Sequence, residues 1–195
     1  MSPSTPARRG RPRKSDAPDT HVRLLAAAAS ACVDHGFDGA TLQEIARRAG
    51  LTATAVYNHF ASREDLLYAA GVRGLEQITE AAEAGAGEGF AGIAAAYLRP
   101  EVAEARRLLA ELHLASRRDQ RLAHLLGEWH QTEAARAAAL LGDRLGHPEA
   151  TVKALFLMLL GLCHLEDLAS IEADPEDLGG RISQMVEALA PTRRS

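Results

Sequence analysis

The sequence predicts an all-α protein of about nine helices, and three observations carry that expectation. Ala, Leu, Glu and Arg, which lose little conformational freedom in a helix, dominate the chain, whereas aromatic residues are only 4% of it. Apolar residues recur at three- and four-residue spacing, the signature of a helix face turned to a core. Capping residues and glycines punctuate that pattern at helix-length intervals. With 195 residues, 47% of them apolar, the chain can bury a proper core in one or two small domains.

Residues 1–19 are rich in Pro, Ser and charge and read as a disordered basic arm. The first helix is expected from Thr20 to His35, with Val22, Leu24, Leu25, Ala28, Ala29, Cys32 and Val33 on its apolar face. Gly36 ends it as a left-handed cap and Phe37 packs back. Thr41 and Glu44 have capping-box spacing, so each is expected to satisfy one orphan backbone amide of helix two, whose buried side is Leu42, Ile45, Ala46 and Ala49. Gly50 stops that helix. Thr52 caps a third helix, Ala53 to Phe60, and Ser62 with Asp65 caps a fourth that continues through Leu66, Leu67, Ala70, Leu75 and Ile78. The short turn between helices two and three suits a helix-turn-helix, and small Ala46 lets the two cross closely.

After Glu83 the run AGAGEG breaks the pattern and serves as a hinge. Five more helices follow at 89–98, 100–117, 119–145, 148–171 and 175–190, with Pro100, Pro148 and Pro175 in first turns and Asp174 as a cap. The eighth, around Ala154 to Leu165, is apolar nearly all round and so is expected to be covered on more than one side, with Gly161 permitting close approach. Its apolar run is shorter than the roughly 18 to 20 residues that span a bilayer. With no apolar leader at the N-terminus and only Cys32 and Cys163, both read as reduced core thiols, the expected location is cytoplasmic.

The net charge of −4 hides an asymmetry: residues 1–60 carry eight Arg/Lys against five Asp/Glu, and residues 81–195 carry twelve against seventeen. One end is suited to a polyanion and the other is not. No HExxH, GxSxG or phosphate-loop motif is present, and adjacent Cys163 and His164 diverge by about 100° on a helix, so an enzyme is not expected. His124 and Glu128, at i and i+4, with His130 or Glu133, are the nearest approach to a metal-ligating set. His130 is turned away from that face, and neither a metal nor another cofactor is expected.

The stretch from Thr41 to Leu66, T-x-x-x-I-A-x-x-A-G-L-T-x-x-x-V-Y-x-H-F-x-S-R-E-D-L, resembles the DNA-binding signature of the TetR family of bacterial transcriptional regulators, and the likeness extends over about residues 20–70. Thr52, Ala55 and Arg63 stand where Ser, Thr and Lys are commoner. The resemblance implies a helix-turn-helix domain at 20–66 and a ligand-binding and dimerisation domain at 67–195. Gln43 matches a base-reading position, and its amide has the bidentate geometry for adenine. Thr41, Tyr57, His59 and Arg63 match positions that hold phosphates, each being a donor suited to a phosphate oxygen. On the recognition helix, capped by Thr52, small Ala53 and Thr54 suit base edges, and Asn58 suits adenine.

Arg9, Arg11, Arg13 and Lys14 surround an Arg-Gly-Arg-Pro core like that of AT-hook peptides, which fit narrow minor grooves. As a plain basic tail they would neutralise phosphates; both readings put the arm on DNA. The resemblance further implies a homodimer through the last two helices on a palindromic operator. It also implies a small-molecule pocket, with candidate lining Tyr97, Leu108, Glu111, Leu112, His113, Trp129, Phe156, Leu160, Cys163 and His164. The expected function is a ligand-released repressor; a repressor without an effector, or a metal-responsive one, shares the same first domain.

Overall fold

The computed structural model describes the backbone of residues 16–141 and, beyond these, only positions 153, 154, 157, 158, 161, 177, 180, 181, 184 and 185, all helical. Among the described residues there are seven α-helices and no strand. They are α1 (Asp16–Gly39), α2 (Leu42–Arg48), α3 (Ala53–Val56), α4 (Arg63–Gly85), α5 (Gly89–Leu98), α6 (Ala103–Ser116) and α7 (Gln120–Leu141). The expected helices eight and nine lie outside the described residues, apart from those isolated positions.

Local chemistry accounts for each boundary. Helix α1 breaks at Gly36, whose φ of 73° and ψ of 164° are closed to residues with a Cβ, and a further turn to Gly39 follows. Thr41, Thr52 and Ser62 cap the next three helices, each hydroxyl accepting the amide three residues on, at 3.3, 3.2 and 3.0 Å. Gly50, at φ 67°, closes α2 in a Schellman motif. There the Leu51 amide donates to the Ala46 carbonyl at 2.8 Å and the Gly50 amide to that of Arg47 at 3.1 Å. Asp119, just before α7, accepts the Arg121 and Leu122 amides.

Two sequence expectations need correction. The capping box at helix two is half made, because the Glu44 carboxylate accepts from the Arg47 and Arg48 guanidiniums, whose charge outcompetes a neutral amide. Helix three is shorter than expected: regular helix ends at Val56, and the Asn58 and His59 amides bond three residues back, to Ala55 and Val56. The tighter turn brings Phe60 into the core, where its ring stacks on His21 at 4.9 Å.

The core is continuous. Leu24, Cys32, Ile45, Val56, Leu66 and Leu67 are buried together with Leu108, Leu109, Leu112 and Leu122, so α4 belongs at once to the N-terminal three-helix unit and to the layer of α5, α6 and α7. The Cys32 thiol is pushed up to about 11 by burial, which makes it a packing group and not a nucleophile. Cys163 lies outside the described residues.

Two glycine contacts set the packing around α4. At the α4–α5 turn, a Cβ on Gly85 would fall 2.2 Å from the Gly92 carbonyl oxygen, so the two backbones touch. Farther along, a Cβ on Gly74 would fall 2.9 Å from Leu108 of α6. No described helix is long and apolar enough to cross a membrane.

Candidate nucleic-acid interface

Helix α2 is held against α1 by arginines. The Arg48 guanidinium donates to Glu44 at 2.7 Å, to the Ser30 hydroxyl at 2.8 Å and to Asp34 at 2.6 Å, and Arg23 donates to the Ala49 carbonyl at the end of α2. Hydrogen bonds from Arg47 and then Arg48 hold the Glu44 carboxyl down to about 2. With Ile45, Ala46, Ala49 and Val56 buried beneath α2 and α3, the orientation of these two helices is over-determined.

What this scaffold leaves outside is a polar set. Thr41 and Gln43 at the start of α2, Thr52 and Thr54 at the start of α3, and Tyr57 and Asn58 at its end are all exposed. Ala53 and His59 are half-buried at the same border. Tyr57 is 59% exposed, unusual for so large a ring with no core to join. Seven of these eight side chains carry hydrogen-bonding groups, and Ala53 leaves room for close approach. That arrangement is suited to phosphate oxygens and base edges.

Arg63 is placed differently. Its guanidinium reaches back across the domain and donates to the carbonyls of Ala40 at 2.6 Å, Asp38 at 3.1 Å and Phe37. It also pairs with Glu64 at 3.2 Å and lies 5.9 Å from the Phe37 ring centroid, and only 23% of the side chain is exposed. These are the carbonyls left open where α1 ends, so Arg63 closes the α1–α2 corner. Arg9, Arg11, Arg13 and Lys14 lie outside the described residues.

The described candidate pocket residues belong to three helices, Tyr97 to α5, Leu108, Glu111, Leu112 and His113 to α6, and Trp129 to α7. Tyr97, Leu108 and Leu112 are core residues, and buried Arg106 donates to the Tyr97 and Arg99 carbonyls, pinning the end of α5 to α6. Glu111 is half-buried near the Gly36 break. His113 donates from Nδ1 to the Leu109 carbonyl at 2.8 Å, which leaves its Nε2 to accept from Nε2 of His130 on α7, also at 2.8 Å. Burial, and secondarily His113, push His130 down to about 4. His124 faces Glu128 at 3.3 Å on the exposed side of α7, and His130 points elsewhere. Trp129 lines a groove of about 380 Å³ between α4 and α7. Phe156, Leu160, Cys163 and His164 lie outside the described residues.

The sequence reading missed the groove's other walls on α4. Thr79 carries its polar contacts, to Trp129 and Glu133 of α7, which lie 50 and 54 residues further along the chain. No local motif joins them.

Comparison with known proteins agrees with this geometry. Residues 24–70 match the family model for bacterial regulatory proteins of the tetR family. Over 53 residues the chain is 45% identical to an uncharacterized HTH-type transcriptional regulator of Mycobacterium tuberculosis and to one of Mycobacterium bovis. Each match covers 27% of this chain, and it spans only 28% of the length of those curated relatives. Among solved structures, the fold is similar to a transcriptional regulator from Rhodococcus sp. Rha1, with a TM-score of 0.75 and 19% identity over 89% of this chain and 99% of that one. It is also similar to NalD, the secondary repressor of the MexAB-OprM multidrug efflux pump in Pseudomonas aeruginosa, with a TM-score of 0.63 and 20% identity over 92% and 100%.

Proposed function

Since this chain belongs, through its N-terminal helix-turn-helix, to the TetR family of bacterial transcriptional regulators, we propose that it is a ligand-released repressor that binds a palindromic operator as a homodimer. The observation that carries the reading is the exposed polar set at α2 and α3 on a scaffold that fixes its orientation. In this proposal α3 lies in the major groove, where Ala53, Thr54 and Asn58 meet base edges and Gln43 reads an adjacent base. Thr41, Thr52, Tyr57 and His59 hold the sugar-phosphate edge. The basic arm adds phosphate neutralisation or a minor-groove contact.

Dimerisation falls to the last two helices, because the eighth is apolar nearly all round and one small domain cannot cover it. The two recognition helices then meet half-sites about 34 to 36 Å or a multiple apart. We place the DNA-binding unit at 20–66 and the ligand-binding and dimerisation unit at 67–195, with α4 running out of the first and into the second.

Release follows from α4. Ser62 and Asp65 anchor its first turn beside the recognition helix, and Arg121 of α7 donates to Asp65 at 2.9 Å while lying 4.0 Å from the Tyr68 ring centroid. A ligand that moves α4 against α7 therefore tilts the helix that carries the reading head. A coupling of about 1 to 3 kcal/mol changes operator affinity roughly 5- to 150-fold.

The test is fluorescence anisotropy of the full chain on its own upstream promoter fragment and on a scrambled duplex, from low to moderate salt. Preference for the promoter fragment, relaxed at one base position per half-site in Gln43→Ala, supports the reading. Equal binding to both duplexes in the parent protein refutes it.

A further inference from the structure

The groove between α4 and α7 has a chemistry that narrows what it can hold, and we infer that it takes an organic cation with aromatic or aliphatic bulk. This inference rests on the reading of the chain as an effector-released DNA binder and names the class of its effector.

Three observations carry it. The floor is apolar, formed by Val72 and Leu75 of α4 and Leu125 of α7, with the Trp129 indole as one wall. At about 380 Å³ the space falls within the range of small-molecule sites, roughly 300 to 1,000 Å³. The Trp129 ring is fixed in place, because its Nε1 donates to the Thr79 hydroxyl at 3.1 Å, and that hydroxyl donates in turn to Glu133 at 3.0 Å.

Charge is the second observation. Four carboxylates line the groove, Glu76, Glu80, Glu128 and Glu133, against the single guanidinium of Arg136. Arg73, just outside, bridges Glu76 at 3.2 Å and Glu80 at 2.8 Å, while Arg136 is shared with Glu83. Counting Glu83 and Arg73, five acids therefore face two bases, and an anionic ligand would enter against an uncompensated negative field.

The third is Glu133 itself. Only 13% of its side chain is exposed, and the closest described cation, Arg136, stands 3.8 Å away and is turned toward Glu83. A carboxylate so far withdrawn from water, held by the Thr79 hydroxyl at 3.0 Å and sharing Arg136 with Glu83, has room for a further cationic partner. A monocation seated on the apolar floor would place its charge against Glu133 and its flank against the indole. Coulomb attraction and cation–π attraction then act together in a partly desolvated space, where each is stronger than in water.

The test uses two ions of the same shape and opposite charge, tetraphenylphosphonium and tetraphenylborate, titrated into the full-length protein. Trp129 is the only tryptophan in the chain, so its intrinsic emission reports on the groove directly. The expected result is saturable quenching by the phosphonium, none by the borate, and affinity about tenfold weaker in Glu133→Gln. Glu128→Gln, at an exposed position, gives a smaller weakening and guards against loss of fold in the first variant, which circular dichroism monitors. Equal quenching by both ions would mean an apolar patch without charge selection and would overturn the inference. Quenching by neither, or phosphonium binding unaltered in both variants, would overturn it too.

A parallel titration of the promoter complex separates the two readings. Promoter binding without phosphonium binding sinks the cation site alone. Phosphonium binding by a protein with no promoter preference sinks the regulator. Phosphonium binding that leaves the promoter complex intact keeps the site and removes it as the trigger.

Discussion

Arg63 distinguishes two roles that the sequence does not separate. Its place in the motif suggests a phosphate contact, while its geometry makes it the closure of α1, with the guanidinium donating to three carbonyls, Phe37, Asp38 and Ala40. Arg63→Ala would leave those acceptors with partial access to water and no donor of comparable strength. Hydrogen bonds from a charged donor contribute about 1.5 to 3 kcal/mol each and are not additive, so a net loss of about 2 to 4 kcal/mol is expected. For a chain of this size each kcal/mol shifts Tm by about 2 to 4 °C, which puts the melt about 5 to 15 °C lower. Arg63→Lys would recover little of this, because an ammonium cannot span three carbonyls with a planar fork. The assay pairs a thermal melt with the salt dependence of promoter binding. A phosphate contact would instead leave Tm in place and reduce the slope of log K against log salt by about 1. That second pattern would refute the structural role.

Other expectations can be checked alongside. Gly92→Ala sets a Cβ 2.3 Å from the Gly85 carbonyl oxygen, so the α4–α5 crossing must open, at about 1 to 3 kcal/mol or more by denaturant melt. Gly127→Ala is the matched control: no described atom lies within 4 Å of its Cβ, and in the middle of α7 it is expected to stabilise by about 0.5 to 1 kcal/mol. The low value of His130 means that the unfolded chain takes up its proton near 6.5 while the folded one waits until about 4; stability therefore falls with pH through that window, and His130→Gln flattens the fall in a urea-midpoint series. Glu44 acts in the same direction at lower pH, its contribution present above about 4.5 and lost toward 2, with an NMR titration midpoint near 2 that the loss of both Arg47 and Arg48 returns to the ordinary range. Tyr57→Phe removes one neutral donor, so promoter and scrambled duplex weaken together with the salt slope unchanged.

Much of the N-terminal unit is legible along the chain because its determinants are local. A capping hydroxyl acts on an amide three residues away, and a glycine with positive φ ends the helix it follows, so Thr41, Gly50, Thr52 and Ser62 mark their boundaries without reference to anything distant. The apolar spacing that places Leu66, Leu67, Ala70, Leu75 and Ile78 on one face of α4 is likewise a property of one helix, and all five are buried. The polarity of the exposed α2–α3 face follows as well, since Thr41, Gln43, Thr54 and Tyr57 are polar at positions between those that must be buried.

What tertiary structure alone decided involves groups brought together from far apart. Glu44 has the spacing for a capping box, yet two guanidiniums outcompete an amide for its carboxylate, and one of those is held in turn by Ser30 and Asp34 of another helix. Arg63 turns inward because carbonyls 23 to 26 residues earlier end a helix beside it. His130 finds its hydrogen-bond partner in His113, which lies 17 residues earlier on the neighbouring helix. Trp129 becomes a wall of a groove only when α4 supplies Thr79. Periodicity states which face of a helix is buried; it does not state which other helix meets that face, and the chemistry of a site depends on that meeting.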